Sequence, residues 1–292
     1  MRSGARLVLV VACAGSAATA IALGLGVADR ARRATETAAS VASGHLYWAD
    51  NARGAILSAP LDRSGPARVL LDGIPSPAGI AVAHTRLSWT NDAGAGSIGR
   101  AGLDGSRADP MFIHGIGNSQ AVAVYGEHIY WTDVDLDSIA RATLTGSHAR
   151  LTFITGALHP RGLLICAGHI YWSNHDGGSI GRADLDGRRV NQRFITGLGA
   201  PGGIATDRSH IYWADELSGA IGRANLDGTG RDRAFLAHVH AGPGVAVADG
   251  RIYWATETAS GGSIARAELD GSHVEPNYRP AGNGADVVAV GG

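Results

Sequence analysis

Lysine is absent from this chain of 292 residues, and all 25 basic residues are arginine. Alongside abundant Ala and Gly, that bias reads as the imprint of a G+C-rich genome and carries little mechanism. Charge of any kind is scarce, at 17% of residues, and the formal net charge is −1. There is thus no electrostatic footprint for nucleic acid or for an anionic membrane surface. Cysteine is limited to Cys13 and Cys166, too few for a disulfide framework. Cys166, inside the apolar run LLICA, is expected to be buried and inert rather than a nucleophile. One long uncharged apolar run exists, residues 7–28, and Arg2 and Arg6 precede it. It reads as an export signal or an uncleaved membrane anchor, and either places the remainder outside the cytoplasm. Without residues 1–28 the balance is 23 basic against 26 acidic, or −3. Residues 29–44, polar and without period, read as a flexible linker.

What the chain has in quantity is glycine, 43 residues of it, spread between short apolar runs in the manner of an all-β protein rich in turns. Its six tryptophans all occupy one position of a repeat: Trp48, Trp89, Trp131, Trp172, Trp213 and Trp254, at intervals of 41 or 42 residues. The local words are HLYWAD, RLSWTND, HIYWTD, HIYWSN, HIYWAD and RIYWAT. An Ile follows each Trp, then a Leu usually trailed by Asp-Gly, then an aromatic or Leu, then an aliphatic residue that leads to the next Trp. Each period holds four short β-like runs of the kind GIAV, HIYW, SIGRANL and RFIT, separated by turn signals. Adjacent Tyr and Trp point to opposite faces of a strand. Both faces must therefore be covered, which radially stacked four-stranded blades achieve.

The phase of the repeat predicts closure. The array begins at HLYW, a second strand, and ends at ADVVAVGG (285–292), a first strand. A C-terminal strand around Val287–Val290 can complete the first blade and remove the open edge. The expected fold is all-β: a six-bladed β-propeller over residues 45–292, with four-stranded blades, its ring closed by the C-terminal strand completing blade 1.

The YW[STA][DN] word, the I-x-R-A-x-L-D-G strand and the GIAV strand resemble the YWTD repeat, the class B repeat of low-density lipoprotein receptors. The likeness covers roughly residues 41–292. Local departures are Ser88 for Tyr, Asn174 and Thr256 for the motif Asp, and Ser58 for the strand Arg. Because such propellers are mostly binding modules, the resemblance implies a non-enzymatic role outside the cytoplasm, with a protein, peptide or glycan as partner. The words IGRANLDG and PGGIA also resemble streptogramin B lyase propellers, which use a His opening an inner strand and a Glu closing the Trp word. The corresponding positions here are Ala78, Gln120, Arg161, Gly202 and Pro243 for the His, and Asp92 or Asn91, Asp133, Asn174, Asp215 and Thr256 for the Glu. None supplies either residue, and the general-base role is unfilled.

Residues recurring in every blade are expected to be scaffold. The motif acids Asp50, Asp133 and Asp215 and the strand arginines Arg100, Arg141, Arg182, Arg223 and Arg266 are expected to bond turns or to pair within and between blades. Function is expected where copies differ. The interval from Trp to Ile runs 8, 9, 8, 8, 8 and 10 residues, and the loop it contains lies on the same face as the start of the innermost strand. The candidate ligand-binding residues on that face are Gln120, Asp135, Asp137, Arg161, His175, Asp176, Glu216, His238, His240, Glu257 and Asp286. No catalytic set is assigned. Asp133, Asp135 and Asp137 have the spacing that opens a calcium loop, but position six lacks Gly and Leu144 stands at position twelve. His238 and His240 could share one side of a strand, with no clear third ligand. No metal or cofactor is therefore expected.

Overall fold

The computed structural model describes residues 44–83, 85–258, 261–282 and 289–291. The leader and nearly all of the linker expected at 1–44 lie outside them. Twenty-four strands form six four-stranded antiparallel sheets. Blade 1 holds β1 (His45–Asp50), β2 (Ala55–Pro60) and β3 (Arg68–Leu71), and blade 2 holds β4 (Pro77–Ala83), β5 (Arg86–Asn91), β6 (Ser97–Gly102) and β7 (Asp109–His114). Blade 3 comprises β8 (Val122–Tyr125), β9 (His128–Asp133), β10 (Ser138–Thr143) and β11 (Arg150–Thr155). Blade 4 comprises β12 (Pro160–Cys166), β13 (His169–Asn174), β14 (Ser179–Asp184) and β15 (Asn191–Thr196). Blade 5 runs β16 (Pro201–Thr206), β17 (His210–Asp215), β18 (Ala220–Asn225) and β19 (Asp232–Leu236). Blade 6 runs β20 (Ala241–Ala248), β21 (Arg251–Thr258), β22 (Gly261–Glu268) and β23 (Glu275–Gly282). The last strand, β24 (Ala289–Gly291), pairs antiparallel with β1, Leu46 opposite Val290, and completes blade 1.

The inner strands touch in sequence around a closed ring, β24 to β4, β8, β12, β16, β20 and back to β24. Closure thus takes place as the repeat phase predicts, through Ala289–Gly291 among the described residues. The chain is a six-bladed β-propeller.

The interfaces between blades explain why Tyr and Trp must be neighbours. All six indoles are at most 1% exposed. Each Trp turns toward the preceding blade and each Tyr toward the following one. Trp172 packs with Tyr130 and Ile139 of blade 3, whereas Tyr171 packs with Ile204 and Ile211 of blade 5. Alternation along one strand therefore glues both sides of a sheet, and the large apolar area of these rings dominates the core. Across the ladder the indole lies flat over a small residue: a Cβ on Gly181, opposite Trp172, would come within 2.3 Å of the ring.

The strand arginines do more than the expected turn bonding, which Arg223 provides to the Leu269 carbonyl at 3.4 Å. Arg100 lies 3.6 Å from the centroid of Phe112, Arg141 4.1 Å from Phe153, Arg182 4.1 Å from Phe194, Arg223 3.9 Å from Phe235 and Arg266 3.9 Å from Tyr278. Each guanidinium caps the aromatic ring of the outer strand, a cation–π contact repeated in five blades. Pairing of the expected kind is added in blade 6, where Arg266 also meets Glu275. The motif acids do bond turns. Asp50 accepts from the Arg53 amide, Asp133 from Leu136 and Asp215 from Ser218.

Candidate binding site at the channel mouth

The face bearing the loops between second and third strands also carries the openings of the inner strands, since both lie at the same ends of an antiparallel blade. Register shifts at Pro77/Ile80, Pro160/Leu163, Pro201/Ile204 and Ala241/Val245 mark a bulge at the opening of β4, β12, β16 and β20. A bulge re-aims the residue it contains. In blade 4 that residue is Arg161, which is 1% exposed. Below the bulges, strand hydroxyls tie the inner strands down: the Gly79, Ala121 and Gly162 amides donate to Thr90, Thr132 and Ser173.

Around Arg161 the structure gathers three more of the candidate residues, Glu216, His175 and Asp176, with His159 beside them. Arg161 Nη1 donates to both Glu216 oxygens, at 2.7 and 2.8 Å. His175 Nε2 stands 3.8 Å from Glu216, and its Nδ1 lies 2.8 Å from Asp176. His159 Nδ1 is 3.4 Å from the other oxygen of Asp176, and the two imidazole centroids are 5.7 Å apart. Glu216 comes from blade 5 and Arg161 from blade 4, so the pair staples two blades across the mouth. Gly202 makes this possible. A Cβ there would meet Glu216 Oε1 and the Pro243 carbonyl oxygen, each at 2.9 Å, so glycine at that inner-strand opening leaves the space the carboxylate crosses. Burial of Glu216 acts to raise its pKa, but the His175 bond and the Arg161 charge prevail and hold it below the ordinary carboxylate value. Asp176 is likewise lowered, chiefly by its bond to His175.

Blades 2 and 3 build the other part of the mouth. Gln120 Nε2 donates to Asp92 Oδ2 at 3.2 Å and to Asn118 Oδ1 at 2.6 Å, and the Asn118 amide donates to Asp135 Oδ2 at 3.1 Å. Pairing of Asn91 with Ser97 assigns the repeat position to Asn91 and leaves Asp92 as the first residue of the loop. Among the described residues, amides rather than a cation bond Asp92 and Asp135. Asp92 is raised above its ordinary value by burial first and by the Asp135 charge as well, against the Gln120 bond. Asp133 is raised by burial and, less, by Asp135, against the Leu136 amide bond. Asp137 accepts from the His159 amide at 2.9 Å and so joins the two parts.

Four buried polar atoms on this face lack a hydrogen-bond partner among the described residues: Ser119 Oγ, Gln120 Oε1, Asp133 Oδ2 and Arg161 Nε. Such atoms are costly to leave unmet. The same face carries three exposed leucines that the sequence reading passed over, Leu136 at 48%, Leu158 at 51% and Leu217 at 78%. Each sits in a loop next to a mouth residue.

The remaining candidates are not part of these two hydrogen-bonded groups. His238 and His240 occupy the loop before β20 rather than a strand, both exposed and both with positive φ. Glu257 falls on β21, where strand pairing extends through Thr258 and Gly261 and absorbs the ten-residue interval as a longer hairpin. Asp286 lies outside the described residues. No group of three or more His, Cys, Asp or Glu among the described residues has a geometry to hold a metal. One signal would have found the cluster directly. Asp92, His175, Glu216 and Glu257 are each the third residue after a Trp, a repeat position polar in five blades and Val134 in the sixth.

Residues 127–165 match the model of the family described as low-density lipoprotein receptor repeat class B. No curated protein matches the chain. Among solved structures, a chain of a nidogen/laminin complex aligns with TM-score 0.67 and 24% identity, over 85% of this chain and 98% of that one. A streptogramin B lyase aligns with TM-score 0.62 and 17% identity, over 84% and 83%. A gluconolactonase from Xanthomonas campestris aligns with TM-score 0.57 and 19% identity, over 73% and 82%. At these identities the likeness is one of fold, shared by binding proteins and enzymes alike.

Proposed function

We propose that this protein is a non-enzymatic binding propeller acting outside the cytoplasm, and that it takes a protein or peptide, or a glycan, on the face around its channel mouth. The observation that carries this reading is the pairing of exposed Leu136, Leu158 and Leu217 with buried, partner-lacking polar atoms and uncompensated acids on one face. Apolar anchors around a polar centre are what a protein or peptide interface uses, with a few residues carrying most of the affinity. The acids of blades 2 and 3 favour a basic side chain at that centre, because a cation beside Asp92 and Asp135 would relieve their mutual repulsion. The class B repeat at 127–165 agrees with a partner-binding role. An export signal or anchor at 7–28 agrees with a site outside the cytoplasm.

The test is a screen of basic peptides, acidic peptides and glycans, followed by replacement of loop 132–138 with the sequence of loop 173–179. Binding should be lost while Tm stays within a few degrees. Retained binding would remove the mouth from the account. Turnover of a substrate that depended on His175 would replace the binding reading with an enzymatic one.

A further inference from the structure

Five of the six blades fill the same socket. Tyr47, Tyr130, Tyr171, Tyr212 and Tyr253 occupy one repeat position, and each is at most 4% exposed. In blades 3, 4, 5 and 6 the phenol contacts the outer-strand aromatic at centroid distances of 5.8 to 6.2 Å. Beside Tyr130 and Tyr171 stands the cross-strand guanidinium of Arg141 or Arg182, which lowers the phenol pKa against the larger rise from burial. The Tyr212 hydroxyl reaches Asp207 in the turn before its strand, at 2.9 Å. Ring and socket are thus defined four times over by the molecule itself.

Blade 2 has the socket without the ring. Ser88 stands at the tyrosine position, opposite Arg100, which still stacks on Phe112. The wall supplied by the next blade is intact: Val124, Ile129 and Leu144 take the places of Ile165, Ile170 and Leu185 around Tyr130. Between these walls lies a cavity of about 300 Å³, closed at its inner end by Ser88 and bordered by Ala83 and Arg86. An apolar cavity of about 150 Å³ is already enough to hold a benzene ring. Leu144 records the missing cover. Of the six leucines at its repeat position it alone is exposed, at 36%. Arg86 also lines an adjoining cleft of about 470 Å³ with Asp104 and Arg107, which leaves room for a polar group at the far end of a ring.

We infer that the gap at Ser88, between blades 2 and 3, is a binding site for a para-substituted phenol ring, entering from solvent past Leu144 with its hydroxyl toward Arg86. The site opens on the face opposite the channel mouth, so its failure would leave the mouth untouched. Arg100 provides the cross-strand guanidinium neighbour that Arg141 provides to Tyr130, and Phe112 the ring contact. The ring could be a free small phenol or a tyrosine side chain offered by a partner.

The test is methyl NMR on the whole protein with p-cresol, and in a parallel arm with N-acetyl-tyrosinamide. p-Cresol should shift the Val124, Ile129 and Leu144 methyls saturably, show contacts from its ring to Leu144, and leave Ile165 and Ile170 unmoved. If the tyrosinamide binds too, the occupant is a tyrosine side chain; if p-cresol binds alone, it is a free phenol. Ser88→Tyr should raise Tm by filling the cavity and weaken p-cresol binding at least tenfold. Leu144→Ala, a surface change that leaves the fold intact, should weaken it several-fold. Absence of saturable shifts with both probes would overturn the assignment, and so would unchanged p-cresol affinity in Ser88→Tyr.

Discussion

The two halves of the channel mouth use equivalent repeat positions and end with opposite electrostatics. In blades 4 and 5 the inner-strand opening holds Arg161 and the third residue after Trp is Glu216, so the buried cation and the carboxylate neutralise each other at 2.7 Å. In blades 2 and 3 the opening holds Gln120, and the matching acid Asp92 gains one amide hydrogen bond and a like-charged neighbour. The first half is stapled, and it contributes rigidity. The second is acidic, and under the proposed function it contributes the ligand preference. A buried pair is weak evidence for stability as such, yet breaking one partner away is expensive. That asymmetry separates the halves experimentally.

The largest expected effect is therefore in the stapled half. Arg161→Met leaves Glu216 and the His175–Asp176 pair without their cation and should cost about 3 kcal/mol, roughly 6–12 °C in Tm for a domain of this size. Thermal melts check this, and the double variant with Glu216→Gln should recover most of the loss because the stranded charge is gone. Equal losses in the single and double variants would mean that packing, and not charge, holds the two blades together.

The next effect is a difference in sign with pH. Glu216 is depressed in the folded state, so its contribution is present above its unfolded value of 4.5 and is lost as pH falls through the lower folded value. Asp92 and Asp133 are raised, so their contribution is fully present below the unfolded value of 3.8 and is lost as pH rises through the higher folded values. Denaturant melts between pH 3 and 6 should show Glu216→Gln removing stability gained with rising pH. Asp92→Asn should remove stability lost with rising pH, and at neutral pH should be neutral or stabilising by about 1 kcal/mol. Both variants changing the profile in the same direction would break the comparison.

Smallest in stability and largest in binding is Leu217→Ser. An exposed side chain carries little folding energy, so the change should stay within about 0.5 kcal/mol. The affinity for a peptide ligand of the mouth should nevertheless fall at least tenfold, as read by titration calorimetry.

Much of the architecture could be read before any coordinates, because the indole positions and the strand phase are one-dimensional signals of packing. Trp48 through Trp254 announce the blade count, and ADVVAVGG announces the closing strand. The candidate site was legible only in part. Gln120 and Arg161 stand out as polar residues among Ala78, Gly202 and Pro243. Their partners do not, because Glu216 is 55 residues from Arg161 and meets it only where Gly202 leaves space. His238 and His240 lie in the loop before β20, on the connection where the sequence put them, and their positive φ values leave them no shared strand side. The guanidinium–aromatic stacks were hidden for a similar reason: the ring partner of Arg182, Phe194, is set by the sheet's third hairpin rather than by proximity in the chain. The empty socket at Ser88 shows the converse, since a single departure from the YW word became meaningful once the other five copies were seen filled.

The most direct test of the divided mouth is a carboxyl-detected NMR titration of Asp92, free and with a saturating lysine- or arginine-bearing peptide from the screen. The account predicts a pKa above the ordinary carboxylate value in the free protein and a clear fall when the basic peptide binds, with Glu216 already low and unmoved. An ordinary Asp92 value that stays the same in the complex would contradict it.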